Sequence, residues 1–275
     1  MRNKIKIASI GDLIVDIYPQ LNKIFPGGTA FNAAYNAAKA GAETSILSAI
    51  GTDNNSNLFR EVFKTCQINT ERLITKKGNT SSIKIKLDNK GCPLFYGWNL
   101  GVLDKYKLCE SDKNFLKKQD IVRAVLFKQI SSIFKDFCSM KFSHTLKAAD
   151  FADISEYAEG IEVIKKYIKN LDIIIKSLDR SDKDSLKFLK QIAQENKKKI
   201  VIALLGGKGS VVFSGDNVYS RKAIKTAVKD TNGAGDSYIA NFLVTYLKTK
   251  NIQKSMMSAT DAASKTITHL GAVNI

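Results

Sequence analysis

The chain has 275 residues, 44% of them hydrophobic and 25% charged, the make-up of a globular protein able to bury a full core. That composition excludes a collagen-like fibre, a disordered tail and a disulfide miniprotein, and no apolar run approaches the ~20 residues needed to cross a bilayer. The outlying number is a formal net charge of +17. Of the 43 basic residues 37 are Lys, spread along the chain, and six are Arg, the residue that forks phosphates and base edges. The expectation is a solvated Lys-rich surface on a cytoplasmic protein, with neither nucleic acid nor membrane as partner. Residues 1–7 hold no signal-peptide core, because Lys6 and then Gly11-Asp12 interrupt the apolar positions. Cys66, Cys92, Cys109 and Cys138 lie far apart and only His144 and His269 are present, so zinc, a disulfide framework and a histidine triad are not expected.

In chain order, residues 5–10 read as a strand entering Gly11-Asp12, 30–40 as a helix rich in small residues, and 44–50 as a second strand. Leu58, Phe59, Val62, Phe63 and Cys66 then repeat at helical spacing. Ile83-Lys84-Ile85-Lys86-Leu87 alternates strictly, Asp88-Asn89-Lys90-Gly91 turns, and Leu94-Phe95-Tyr96 resumes: a hairpin with one apolar and one wet face. Such a hairpin does not belong inside a doubly covered sheet. It is expected as a separate flap, paired with residues 15–20, with the apolar face that carries Ile85 covered by a second copy of the chain. Apolar runs at 121–127, 171–175 and 199–205 are short enough for buried parallel strands, and Leu186, Leu189, Ile192 and Ala193 mark a helix. The alternation argues for a layered α/β domain with a largely parallel sheet.

Three clusters carry chemistry. In Asp230-Thr231-Asn232-Gly233-Ala234-Gly235-Asp236, the stripe Ile239, Phe242, Leu243, Tyr246 and Leu247 that follows puts the motif at the start of an amphipathic helix. Gly-Ala-Gly leaves first-turn N–H groups unshielded, and the helix dipole adds positive potential for a phosphate or a developing negative charge. Asp236 in the same turn is placed to take a proton from an attacking hydroxyl; the residues alone allow equally that it is only a helix-start residue. The second stretch, Leu205-Gly206-Gly207-Lys208-Gly209-Ser210, lacks the Ser/Thr and the leading Gly of a P-loop. It reads either as a loop approaching a nucleotide or as a turn feeding a hairpin. The third comprises Asp12, Asp16, Gln20, Asn22 and Lys23, then Gly27, Gly28 and Asn32. Asp12 lies past the end of the first strand, where open α/β sheets place ligands.

Taken together, Gly27-Gly28 with Asn32, Gly51-Thr52-Asp53, Leu205-Gly206-x-x-Gly209 and Asp230-Thr231-x-Gly233-Ala234-Gly235-Asp236 resemble the ribokinase-like (PfkB-type) carbohydrate kinases, in order over almost the whole chain. Residues 11–28 resemble in particular the branch of that family acting on fructoselysine. The resemblance implies one domain over 1–275, a three-layer α/β/α sandwich with a small β-sheet lid formed by about 12–26 and 80–104. It implies an ATP-dependent, Mg2+-requiring transfer of phosphate to a sugar hydroxyl, with fructoselysine or a related fructosamine as acceptor; another furanose, a phosphosugar or a nucleoside is the alternative. A basic nucleic-acid-binding protein with a non-catalytic kinase-like fold is the alternative of another class.

By the same analogy Asp236 is the base and Gly233, Ala234 and Gly235 form the anion hole. Asp12, Asp16, Gln20, Asn22, Lys23, Gly27, Gly28 and Asn32 hold the acceptor. Gly206, Gly209, Thr231 and Asn232 meet ATP, and Asp230 helps hold K+. An unperturbed Asp ionises near pH ~3.9, so Asp236 is expected charged at neutral pH. Two departures stand out. Where many members carry Asn-x-x-Glu to organise magnesium-bound water, this chain has Ser177-Leu178-Asp179-Arg180, which leaves Asp179 or Asp182 for that role. Tyr96-Gly97-Trp98-Asn99 offers no carboxylate to a substrate ammonium.

Overall fold

The computed structural model describes residues 4–152, 154–178 and 182–274. Strand β1 (Lys6–Ile10) is followed by β2 (Ile14–Tyr18), β3 (Lys23–Gly27), helix α1 (Thr29–Lys39), β4 (Glu43–Ile50), α2 (Ser56–Thr65), β5 (Leu73–Thr75), β6 (Ser82–Leu87) and β7 (Pro93–Asn99). Then come α3 (Glu110–Leu116), β8 (Ile121–Val125), α4 (Ser131–Ser139), β9 (Leu146–Asp150), β10 (Ile173–Ser177) and α5 (Lys183–Glu195). The chain closes with β11 (Ile200–Leu204), β12 (Ser210–Ser214), β13 (Asn217–Arg221), α6 (Ala234–Thr249) and α7 (Ile252–Thr266).

Among the described residues the main sheet has nine strands in the order β13-β12-β11-β10-β9-β8-β1-β4-β5. All neighbours are parallel except the β11–β12 and β12–β13 pairs, which form an antiparallel border. Buried strands need apolar side chains on both faces, and the alternation sorts them. Ile173, Ile175, Ile200, Ile202 and Leu204 join Phe242 and Leu243 of α6 in one core. Ile174, Val201 and Ala203 join Phe134 of α4 and Leu189 of α5 in the other. A third core packs Leu13 and Val15 with Phe31 of α1 and Phe59 and Phe63 of α2. No helix among the described residues is long and apolar enough to cross a membrane.

Hydrophobic spacing does not point to β9, because Lys147 sits in its middle. That ammonium is buried and donates to the carbonyls of Cys138 at 3.0 Å and Met140 at 2.8 Å, which makes it tolerable inside the protein.

The hairpin β6–β7 stands apart, in a four-stranded sheet of order β3-β2-β6-β7, with β2 and β6 paired in parallel. One expectation is overturned. Ile85, on the interior strand β6, is fully buried within the single chain, so it is not part of an open face awaiting a second copy. The uncovered apolar side chains of the small sheet lie on its two edge strands, Leu94, Phe95 and Tyr96 on β7 and Ile24 on β3.

Candidate active site

Strand β1 sits beside β8 near the middle of the main sheet, and its C-terminal end delivers Asp12 beneath the start of α1. The Asp12 carboxylate accepts from Thr29 N at 2.9 Å, Thr29 Oγ1 at 2.7 Å and Ala30 N at 3.2 Å. It thereby caps α1 from another part of the chain, since the residue at the cap position, Gly28, has no side chain to do so. Gly28 itself is required: its φ is +97°, and a Cβ there would press on the Asp12 carbonyl. Asp12, expected to read sugar hydroxyls, in the ligand-free chain holds the start of α1 with both of its oxygens.

One turn into α1, Asn32 donates its amide to Asp236 Oδ2 at 3.0 Å, while its own Oδ1 is buried without a partner. Asp236 lies in the first turn of α6, which starts from Gly233 in the left-handed region at φ +75°. A side chain on Gly233 would collide with Ala272. The Ala234 N–H turns back to Thr231 O at 3.3 Å. Of the expected anion-hole groups, the N–H of Gly233 and that of Gly235 are therefore open, and the N–H of Asp236 joins them, none with a backbone acceptor among the described residues.

Spacing did not reveal the other neighbour of Asp236. Arg123 of β8, 1% exposed, donates from Nη2 to Asp236 Oδ1 and to Asp150 Oδ2, both at 2.8 Å, and from Nη1 to Thr29 O at 2.7 Å. The signal that could have found it is an Arg inside the apolar run 121–127. Burial raises the Asp236 pKa; Arg123 and the Asn32 hydrogen bond oppose this, Asp150 and Asp12 add to it, and the outcome is about 7. The expectation of a fully ionised Asp236 at neutral pH is corrected accordingly. Burial also raises Asp150, with Arg123 pulling the other way.

The small sheet comes down on the turn before α6 at three points. Asp16 of β2 accepts from Asn232 Nδ2 at 2.8 Å, Tyr18 donates to Asp230 Oδ2 at 2.6 Å, and the β6–β7 turn receives Thr231 N on Gly91 O at 2.8 Å. Asp16 packs over Gly27, where a Cβ would run into its carboxylate. Burial pushes the Asp16 pKa up to about 8, with Asp12, Asp230 and Asp236 adding repulsion against the Asn232 hydrogen bond.

These contacts engage several of the expected site residues. Thr231 N–H and the side-chain amide of Asn232, both expected to meet ATP, bond the small sheet in the ligand-free chain, since buried polar groups must find partners within reach. Asp230, fully buried, accepts from Tyr18 Oη, Asn232 N at 2.8 Å and Gly271 N at 3.0 Å. Oδ2 takes two of these donors and Oδ1 one, so the carboxylate ties three segments together. Gln20, Asn22 and Lys23 are exposed at the β2–β3 turn, beyond Asp16 and Tyr18, and Asn22 takes φ +48° to close that turn.

Gly206 and Gly209 bracket the turn between β11 and β12. Gly206 has φ +53° with open space around it, whereas Gly209 at φ +100° lies against the backbone of residues 221–223. The loop thus combines a backbone open to a ligand with a hairpin turn, and both readings of the sequence describe part of it. Among the described residues no three His, Cys, Asp or Glu side chains gather as a metal site. A magnesium ion carried on nucleotide phosphates needs only one or two carboxylates. Asp182 caps α5 by accepting from Ser185 N at 2.8 Å, and Asp179 lies outside the described residues.

Residues 5–275 match the family model described as pfkB family carbohydrate kinase. The chain is 28% identical over 266 residues to fructoselysine 6-kinase of Shigella flexneri, covering 97% of this chain and 98% of that protein. It is 26% identical over 270 residues to a fructosamine kinase of Bacillus subtilis (strain 168), covering 97% and 92%. The fold superposes with a TM-score of 0.80 on a fructokinase double mutant from Vibrio cholerae O395 bound to fructose, ADP and potassium ion, at 19% identity over 98% of this chain and 95% of that one. The ribokinase-like sandwich, the motif at the start of α6 and a family match from residue 5 to the last residue lead to one assignment: the chain belongs to the pfkB family of carbohydrate kinases.

Proposed function

We propose that this carbohydrate kinase transfers the γ-phosphoryl group of ATP to the 6-hydroxyl of fructoselysine or a closely related fructosamine. The observation that carries the reading is near full-length similarity to a fructoselysine 6-kinase, joined to a buried aspartate at a helix N-terminus with open N–H groups. In this reading Asp236 accepts the proton of the attacking hydroxyl while Asn32 and Arg123 hold its two oxygens. The Gly235 and Asp236 N–H groups face the charge that gathers on the transferring phosphoryl group. Magnesium supplies charge neutralisation on the phosphates. The small sheet serves as the lid: its contacts at Asp230, Thr231 and Asn232 close the site over the acceptor and exclude water.

The orphaned oxygens Asn32 Oδ1 and Asp150 Oδ1 are unfilled acceptors beside Asp236, suited to sugar hydroxyl donors. Self-association belongs to the same proposal. Edge strand β7 exposes Leu94, Phe95 and Tyr96, and a second copy laid along that edge would cover them.

The test is competition among fructoselysine, other fructosamines, fructose, ribose and nucleosides, with ATP and mass detection of products. The expected result is a fructosamine 6-phosphate, preferred by at least about tenfold in kcat/KM over free fructose and ribose. Equal or better use of ribose, fructose or a nucleoside would reassign the acceptor within the family.

A further inference from the structure

Strand β8 alternates like its neighbours, with Ile121 in the core beneath α6 and Val122 and Ala124 in the opposite one. Arg123 has the parity of Ile121, so its side chain leaves the sheet towards α1 and α6. A guanidinium brought into a buried layer persists only when paired, and each of its contacts has a place in the site. Nη2 holds Asp236 Oδ1 and Asp150 Oδ2, and Nη1 holds the carbonyl of Thr29, the first residue of α1.

Asp236 is consequently gripped on both oxygens, Oδ1 by Arg123 and Oδ2 by Asn32. Neither grip comes from α6 itself, so the direction of the carboxylate is set by β8 and α1. Arg123 is in turn anchored to β9 by Asp150 and to the Gly28–α1 junction by Thr29. A fork of fixed planar geometry suits such a three-way tie, which a flexible point charge does not reproduce.

We propose that Arg123 is a positioning residue for catalysis: it aims the Asp236 carboxylate and keeps it ionised, and Asp150 holds the guanidinium in place. The inference rests on the reading of Asp236 as the base. The titratable groups that face Asp236 are Arg123 from β8, Asp150 from β9, Asp12 from the end of β1 and Asp16 from β2, with neutral Asn32 from α1. Lys176 of β10 acts on Asp150. Burial, Asp150 and Asp12 favour the protonated base, the guanidinium in contact opposes them, and Asp16, kept protonated by its own burial, adds no charge at neutral pH. Asp150 therefore has two effects, repelling the base while anchoring its counter-ion.

The experiment is the pH dependence of kcat/KM in the full-length enzyme for wild type, Arg123→Met, Arg123→Lys and Asp150→Asn. Circular dichroism and calorimetric ATP binding accompany it. The acidic limb should rise by at least about one pH unit in Arg123→Met and by less in Arg123→Lys. Activity of Arg123→Met at pH 7 should fall about 100-fold and recover in part at alkaline pH, with ATP affinity unchanged. Asp150→Asn should move the limb the opposite way, because it removes a like charge and leaves Arg123 to Asp236 alone. A residue with a merely structural role would not shift the limb in opposite directions in the two variants.

If Arg123→Met does not fold, Arg123→Lys and Asp150→Asn still report the same limb. Folded variants whose limbs coincide with wild type would overturn the proposal. Full activity of Asp236→Asn would instead overturn the base reading, whereas an inactive Asp236→Asn with unmoved limbs in the other variants would overturn the Arg123 inference alone.

Discussion

The hydroxyl of Tyr18 donates to Asp230 Oδ2 at 2.6 Å across 212 positions of sequence, tying the middle of the small sheet to the turn that starts α6. Burial, then the hydrogen bond to Asp230, push the Tyr18 pKa upward, so the hydroxyl remains a donor at any working pH. Asn232 donates to the same hydroxyl at 3.2 Å and to Asp16 at 2.8 Å, which makes four side chains one buried network. Closure of the small sheet and the geometry of the α6 start are thus coupled.

Tyr18→Phe removes the tie and leaves a buried carboxylate oxygen short of one donor, a loss on the order of 1–3 kcal/mol. The amides of β2 and β3 should exchange faster with deuterium, and KM for the sugar should rise more than kcat falls. Unchanged exchange in β2 and β3 would show that the sheet is held by other contacts.

Asp236→Asn keeps the shape and can still meet Arg123 through its amide oxygen, with its NH2 turned towards Asn32, whose own Oδ1 is without a partner, but it has no base. Turnover should drop about 10²–10⁴-fold while nucleotide affinity holds, because the open donors at the helix start belong to the backbone. Single-turnover measurement with saturating ATP separates the two effects.

Asp16 is a proton store in the ligand-free protein. Its folded pKa of about 8 lies well above the usual carboxylate range, so the folded state binds the extra proton. The stability linked to that proton is complete below about pH 4 and is lost as pH rises to about 8. Asp16→Asn should therefore lose less thermal stability than wild type between pH 5 and 8, where most of the difference accumulates. Parallel Tm curves for the two proteins over that range would contradict it.

The edge of the small sheet predicts the oligomer. Phe95, 50% exposed on β7, is an accessible residue, whereas Ile85 opposite it is buried. Phe95→Glu should yield monomers at concentrations where the wild type sediments as a dimer. A charge at Ile85 should instead damage the fold of the chain itself. A wild type that sediments as a monomer throughout would remove the basis for the interface.

Local pattern carried much of the architecture. The alternation in Ile83 to Leu87, the buried runs that became β8, β10 and β11, and the helical stripe from Ile239 to Leu247 each state their element, because side-chain period and secondary structure share one geometry. Gly233 and Gly28 were legible for the same reason, since both sit where a turn needs a positive φ. Spacing failed where polarity and burial conflict. Lys147 hid β9, and Arg123 passed unremarked inside an apolar run, because the partners that make them tolerable, Cys138 and Met140 in one case and Asp150 and Asp236 in the other, are brought there only by folding.

The residues by themselves determined the layered α/β class, the separate hairpin and the glycine-flanked Asp236 at a helix start, all consequences of short-range periodicity and backbone sterics. Tertiary structure alone decided what those residues meet. It turned Asp12 to the cap of α1, Asn232 and Asp230 to the small sheet, and Arg123 to the candidate base, and it buried Ile85 within its own chain. The reason is that a hydrogen-bond partner or a covering side chain is fixed by distance in space. Asn32 and Asp236, 204 positions apart, come within 3.0 Å only when α1 and α6 pack on the same face of the sheet.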